Sequence, residues 1–143
     1  MFLLLLYWLF TPILWISLLI SCLFNPKIRH HWINEKNTWL SAQKKYQNNR
    51  SKKIIVQFHA ASNGEFEQLK PILEKLSREK FFIIQSFFSP TVYIKEKEKN
   101  TWLSAQKKYC LVDAVCYHPF DFFWNALYFF RLLKIDYYIT TRN

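Results

Sequence analysis

The chain has 143 residues, three cysteines and a formal charge of +10. Cys22, Cys110 and Cys116 show no metal-ligand spacing, which excludes a zinc module and leaves buried thiols in a reducing compartment as the simplest account. The basic excess admits nucleic acid, anionic lipid or an anionic substrate, but no zinc-binding or helix-turn-helix pattern is present, and behind a membrane segment the lipid readings outrank nucleic acid.

Residues 1–24 carry no charged side chain and are dominated by Leu, Ile, Phe and Trp. A helix of about 20 such residues crosses a bilayer core, and Pro12 is tolerated within it. Lys27, Arg29, Lys36, Lys44, Lys45, Arg50, Lys52 and Lys53 follow with little acidic compensation. The positive-inside rule therefore predicts a single-pass anchor in the inner membrane with the body of the protein facing the cytoplasm. A cleaved signal is the rival reading, since Leu19-Ile20-Ser21-Cys22 resembles a lipoprotein-processing box; against it, no Lys or Arg precedes the apolar run. Residues 25–52 read as a basic juxtamembrane connector, with Pro26 stopping the membrane helix and a short helix over 37–46.

Residues 53–143 alternate in pattern. Strands are predicted at 53–58, 81–87, 114–117 and 137–140, with helices at 65–79, from about Ser89-Pro90-Thr91, and at 121–133. Leu69, Ile72, Leu73 and Leu76 recur at helical spacing, and Ser89 before Pro90 is an N-cap with proline at the first helical position. Alternation of this kind implies a parallel sheet with right-handed crossovers. Twelve residues beginning Glu35-Lys36-Asn37-Thr38-Trp39 and ending at Tyr46 recur unchanged over 98–109. Two copies do not make a solenoid, so a DNA-level duplication of a solvated amphipathic helix is the favoured account, with a duplicated lipid-binding element carrying Trp39 and Trp102 as the alternative.

The single glycine, Gly64, stands between the first predicted strand and the next helix, where open α/β sheets present functional groups. Glycine there is expected to permit a tight turn. Glu65 has two readings. With Ser62 as N-cap it completes a capping box; alternatively it is a general base at the mouth of a cleft.

The run His59-Ala60-Ala61-Ser62-Asn63-Gly64-Glu65, followed by Pro71-Ile72-Leu73, resembles the 3-deoxy-D-manno-octulosonic acid (Kdo) transferases. Ser89-Pro90-Thr91 and Tyr117-His118-Pro119-Phe120-Asp121 are similar to further landmarks of that family, in the same order, as is an N-terminal membrane anchor ahead of a cytoplasmic domain. The resemblance implies an α/β fold: an incomplete Rossmann-like parallel sheet, the N-terminal, acceptor-side domain of a two-domain B-type glycosyltransferase, behind a transmembrane helix. It implies transfer of Kdo from the donor CMP-Kdo to a lipid A precursor in lipopolysaccharide biosynthesis; from the residues themselves a membrane with anionic lipids is the expected partner, and no cofactor and no metal are expected. By the same resemblance Glu65 is the catalytic base, and His59, Ser62 and Gly64 are substrate-binding, although a loop histidine satisfied by backbone groups is an equal reading of His59. The chain departs from the pattern at its end: Arg142 stands where a family glutamate aligns, and the donor-binding half is expected to be missing. A truncated chain inactive on its own is therefore expected, with a non-enzymatic membrane-anchored remnant or interaction module as the alternative.

Overall fold

A computed structural model describes residues 2–48, 53–105 and 110–141. Its elements in chain order are α1 (Phe2–Phe24), α2 (Pro26–Asn48), β1 (Ile54–Ala60), α3 (Asn63–Lys75), β2 (Phe81–Phe87), α4 (Pro90–Ala105), β3 (Ala114–Tyr117), α5 (Phe123–Leu133) and β4 (Tyr137–Thr140). The strands form one parallel sheet in the order β3-β2-β1-β4. This is the expected α/β architecture.

Side-chain alternation along the strands supplies the two faces of the sheet. Val56, Phe58, Ala60, Ile83 and Phe87 pack with Phe66, Leu69 and Leu73 of α3 and Tyr93 of α4. Ile55, Phe82, Ile84, Ala114 and Cys116 pack with Trp39 and Ala42 of α2 and with Phe129 and Leu133 of α5. A parallel sheet covered on both faces follows. Only the edge strand β4 is exposed along its length.

Apart from α5, which starts at Phe123 instead of 121, three boundaries differ from the sequence reading. β1 continues through His59 and Ala60, so the turn before α3 is shorter than expected. α3 starts at Asn63 because Ser62 is its N-cap, with extended backbone (φ −129°, ψ 167°) and its Oγ accepting from Glu65 N, and it stops before the extended Leu76. Gly64 therefore lies inside the first helical turn, at negative φ. The expectation that glycine is needed for a tight turn is corrected: a Cβ there would meet nothing nearer than Ser62 Oγ at 4.0 Å.

The third difference concerns 25–52. The short helix expected over 37–46 is part of the 23-residue α2, which buries His31, Glu35, Thr38, Trp39 and Ala42 against the sheet side of the molecule. Asn25 caps it, its Oδ1 accepting from Lys27 N at 3.0 Å, with Pro26 at the first helical position. Trp39 Nε1 donates to Tyr117 O (2.8 Å), and Thr38 Oγ1 accepts from Tyr117 N (3.0 Å). This segment does more than connect: it satisfies the end of β3.

The winding from β1 through β2 to β3 runs one way, and the crossover through α5 returns β4 to the other side of β1. The order reverses between β1 and β4. In open α/β sheets the crevice outside the strand C-termini at such a reversal is where ligands bind.

Candidate functional site

Glu65 sits at that reversal. It is the third residue of α3, immediately beyond β1. Its Oε2 accepts from Ala61 N at 2.7 Å, and Ser62 Oγ accepts from Glu65 N at 3.3 Å. The reciprocal pair is a capping arrangement that satisfies donors otherwise orphaned at a helix start. Thr141, just past β4, donates from Oγ1 to the same Oε2 at 3.1 Å. One carboxylate thus ties the ends of β1 and β4 together. Both bonds fall on Oε2, and among the described residues no hydrogen bond reaches Oε1.

Beside it lies a polar cluster built by the strand register. His59 pairs with Ser86 on β2 and with Thr140 on β4. Its Nδ1 lies 3.2 Å from the buried Ser86 Oγ, which also accepts from Gln57 Nε2 at 2.8 Å. His118, following β3, places Nδ1 3.5 Å from the same Ser86 Oγ and its ring 3.9 Å from that of His59. Tyr138 of β4 stacks near both imidazoles. Burial pushes His118 down to about 3, with the imidazoles of His59 and His31 adding to the effect. Burial also lowers His59, while its bond to Ser86 and the carboxylates Glu65 and Asp121 pull the other way. Both shifts favour uncharged rings, whose planes are tilted by 32° to each other. They form an uncharged aromatic shelf next to a carboxylate.

Of the residues singled out in the sequence, Glu65, Ser62 and Gly64 share the first turn of α3, and His59 is on the adjoining strand end. His59 is held by a serine side chain, in addition to its place in the β1 ladder. Arg142 lies outside the described residues. Sequence reasoning missed Ser86, His118 as a side chain, Tyr138, Thr141 and the buried Gln57. His118 stood inside a motif already noted; the others gain meaning only from register across the sheet. No group of three or more His, Cys, Asp or Glu suited to a metal ion occurs among the described residues.

A cleft of about 620 Å³ between α2 and α4 lies away from Glu65 and is lined by Thr38 and Ser41 from one repeat copy and Thr101 and Trp102 from the other. The two tryptophans are not equivalent, since Trp39 is fully buried while Trp102 is 55% exposed. A lipid-binding role shared by both is therefore closed to Trp39. The end of the second copy, residues 106–109, lies outside the described residues.

Comparison with known proteins bears on the whole arrangement. No curated protein and no solved structure matches the chain. A family model for 3-deoxy-D-manno-octulosonic-acid transferase (kdotransferase) matches residues 33–143, from within α2 through β4 and past Glu65. With that match spanning the sheet, the strand-end site and most of the chain, the protein belongs to the Kdo transferase family.

Proposed function

We propose that this chain supplies the acceptor-side groups for transfer of Kdo from CMP-Kdo to a lipid A precursor in lipopolysaccharide biosynthesis, at the cytoplasmic face of the inner membrane. The observation that carries the reading is the position of Glu65, at a helix start on the β1/β4 reversal and hydrogen-bonded to Thr141. In the proposed step the acceptor hydroxyl attacks the anomeric carbon of Kdo, CMP leaves with the bonding electron pair, and Glu65 takes the hydroxyl proton. A carboxylate within reach of a positioned hydroxyl is suited to that transfer.

The neighbouring groups then have roles. Gly64 has no backbone conformation that demands glycine, so its value would lie in leaving the surface beside Glu65 open to a sugar. Ser62 holds the turn, and the neutral His59 and His118 rings offer a flat face with nitrogen hydrogen-bonding sites. Exposed basic residues such as Lys27 and Arg29 would meet anionic lipid and the phosphorylated acceptor. Donor-binding groups are not assigned to these 143 residues. They are proposed to come from a second domain, so the chain alone is expected to be inactive.

The test is transfer of Kdo from CMP-Kdo to a lipid A precursor by membranes containing this chain, with and without a separately supplied donor-binding domain. Product only in the presence of both, lost in Glu65→Ala, is the expected result. Product from this chain alone would contradict the division of labour, and product independent of Glu65 would contradict the site. A second reading, a non-enzymatic membrane-anchored module, is favoured by one observation: Glu65 is already engaged as a helix cap.

A further inference from the structure

We infer that α1 is docked along the domain and lies in the plane of the membrane surface, facing an anionic bilayer with its outer side instead of crossing it. Length and composition alone allow the 20-residue stretch Leu5–Phe24 to span. Its packing points elsewhere.

Tyr7, Thr11, Trp15, Leu18 and Cys22 recur at helical spacing and form the covered stripe of α1; Thr11 and Cys22 are buried, the others half-buried. Trp15 meets Trp32 of α2 edge-on at 5.0 Å and Phe122 at 5.7 Å. Were α1 and α2 collinear, Trp15 and Trp32 would stand about 25 Å apart at 1.5 Å per residue. The chain folds back on itself at Asn25-Pro26.

The contact at the far end of α1 is specific. Phe122, the N-cap residue of α5, makes no side-chain cap bond. The Tyr7 hydroxyl fills that place, accepting from Phe123 N at 2.8 Å and donating to Asp121 O at 3.3 Å. Trp8 adds ring contacts to Phe123 and Trp124. Tyr7 and Cys22 are about 22 Å apart along the helix axis, and the domain touches α1 near both ends. A perpendicular α1 would therefore carry the exposed Asp121 and the start of α5 deep into hydrocarbon, where charged groups are strongly disfavoured. Docking and crossing exclude each other.

Opposite the covered stripe, Leu5, Leu9, Ile13, Ile16 and Ile20 form an exposed apolar face. Exposed Lys27 and Arg29 stand at the α1–α2 corner, and half-exposed Trp8 and Phe123 flank the other end. An apolar face bordered by cations and aromatic rings matches the acyl–headgroup boundary of an anionic bilayer. This attachment is independent of whether Glu65 acts as a base.

The test uses the full chain with different epitope tags at its two ends, expressed in membranes and digested with protease in sealed right-side-out and inside-out vesicles. The expected result is a shared fate: both tags cut in one orientation and both protected in the other. A Tyr7→Cys, Phe123→Cys pair should also form a disulfide within the membrane-bound protein. Opposite fates of the two tags would overturn the inference, as would loss of the N-terminal tag by cleavage before an acylated Cys22. For the lipid charge, Lys27→Ala and Arg29→Ala should each weaken binding to vesicles containing phosphatidylglycerol by about fivefold; unchanged binding would overturn the anionic component.

Discussion

Copies of one twelve-residue stretch begin in α2 and in α4, the second described through residue 105, and the fold turns different faces of them inward. In α2 the buried members are Glu35, Thr38, Trp39 and Ala42. In α4 the corresponding Glu98, Thr101 and Trp102 are exposed, and Asn100 is buried instead, its Nδ2 donating to Val112 O at 2.7 Å. Asn100 and Trp102 are two positions apart, about 200° around a helix, so burying one exposes the other. Over the described residues, 35–42 and 98–105, identical local sequence is helical in both places but packs differently. Helix propensity belongs to the segment, while the inward face is chosen by what the rest of the fold offers.

The first copy is met by partners suited to it. Tyr117 accepts the Trp39 indole proton through its carbonyl and gives its amide to Thr38, and Asn125 Nδ2 donates to Glu35 Oε1 at 2.9 Å. In the second copy the tryptophan, Trp102, is 55% exposed. We read the first copy as the one the fold depends on, and the second as a helix tolerated where it fell.

The sharpest way to break this contrast is to truncate both tryptophans. Trp39→Ala should cost about 3–5 kcal/mol in chemical denaturation, as for large-to-small changes in a core, whereas Trp102→Ala should stay within about 0.5 kcal/mol. Equal losses would mean that the two copies are held alike.

The glutamates extend the comparison to pH. Burial raises Glu35 to about 7, partly offset by the Phe120 amide and Lys36, and His31 Nε2 lies 3.8 Å from its Oε2. A carboxyl with a raised folded value binds its proton more tightly in the native state, so its stabilising contribution is complete below about 4.5 and is lost as pH rises toward 7. His118 has the opposite sign: its lowered value costs stability as pH falls from about 6.5 toward 3. Thermal unfolding of Glu35→Gln from pH 4.5 to 7.5 should therefore remove the descending component on the alkaline side and leave the acid-side loss.

The asparagines reverse the order of the tryptophans. Asn100→Ala leaves the buried Val112 carbonyl without its donor and should cost about 1–3 kcal/mol, while Asn37→Ala on the exposed face of α2 should be near neutral. The smallest effect is expected at Gly64. Alanine fits there without a clash, so Gly64→Ala should raise stability by about 0.5–1 kcal/mol. If the glycine serves the approach of a sugar, transfer should fall although the protein is more stable.

These contrasts also explain what the sequence made legible. β3 and β4 are legible because their runs are short and bracketed by polar residues, and β2 because Lys80 precedes it and Ser89-Pro90 marks the next helix start. α2 was underestimated because its buried stripe mixes Trp39 and Ala42 with His31, Glu35 and Thr38; apolar periodicity does not register residues buried through hydrogen bonds, such as His31, which lies 2.9 Å from Phe88 O and 2.8 Å from His118 O. The end of β1 is hidden for a related reason, since the half-buried His59 interrupts its apolar run. Ser62 and Glu65 were legible as a local cap. The bond from Thr141 to Glu65 was not, because it joins residues 76 positions apart that only the sheet order brings together.

The account turns on whether the Glu65 carboxylate does more than hold its helix. Glu65→Gln separates the two roles, since glutamine can still accept from Ala61 N and keep the cap but is no base. The decisive measurement is the rate of CMP-Kdo-dependent transfer by the chain combined with a donor-binding domain, wild type against Glu65→Gln, with unfolding midpoints recorded for both. The account predicts a loss of about 10²–10⁴-fold in rate with little change in stability. A variant that transfers within a few-fold of the wild type would contradict it and leave Glu65 as a cap alone.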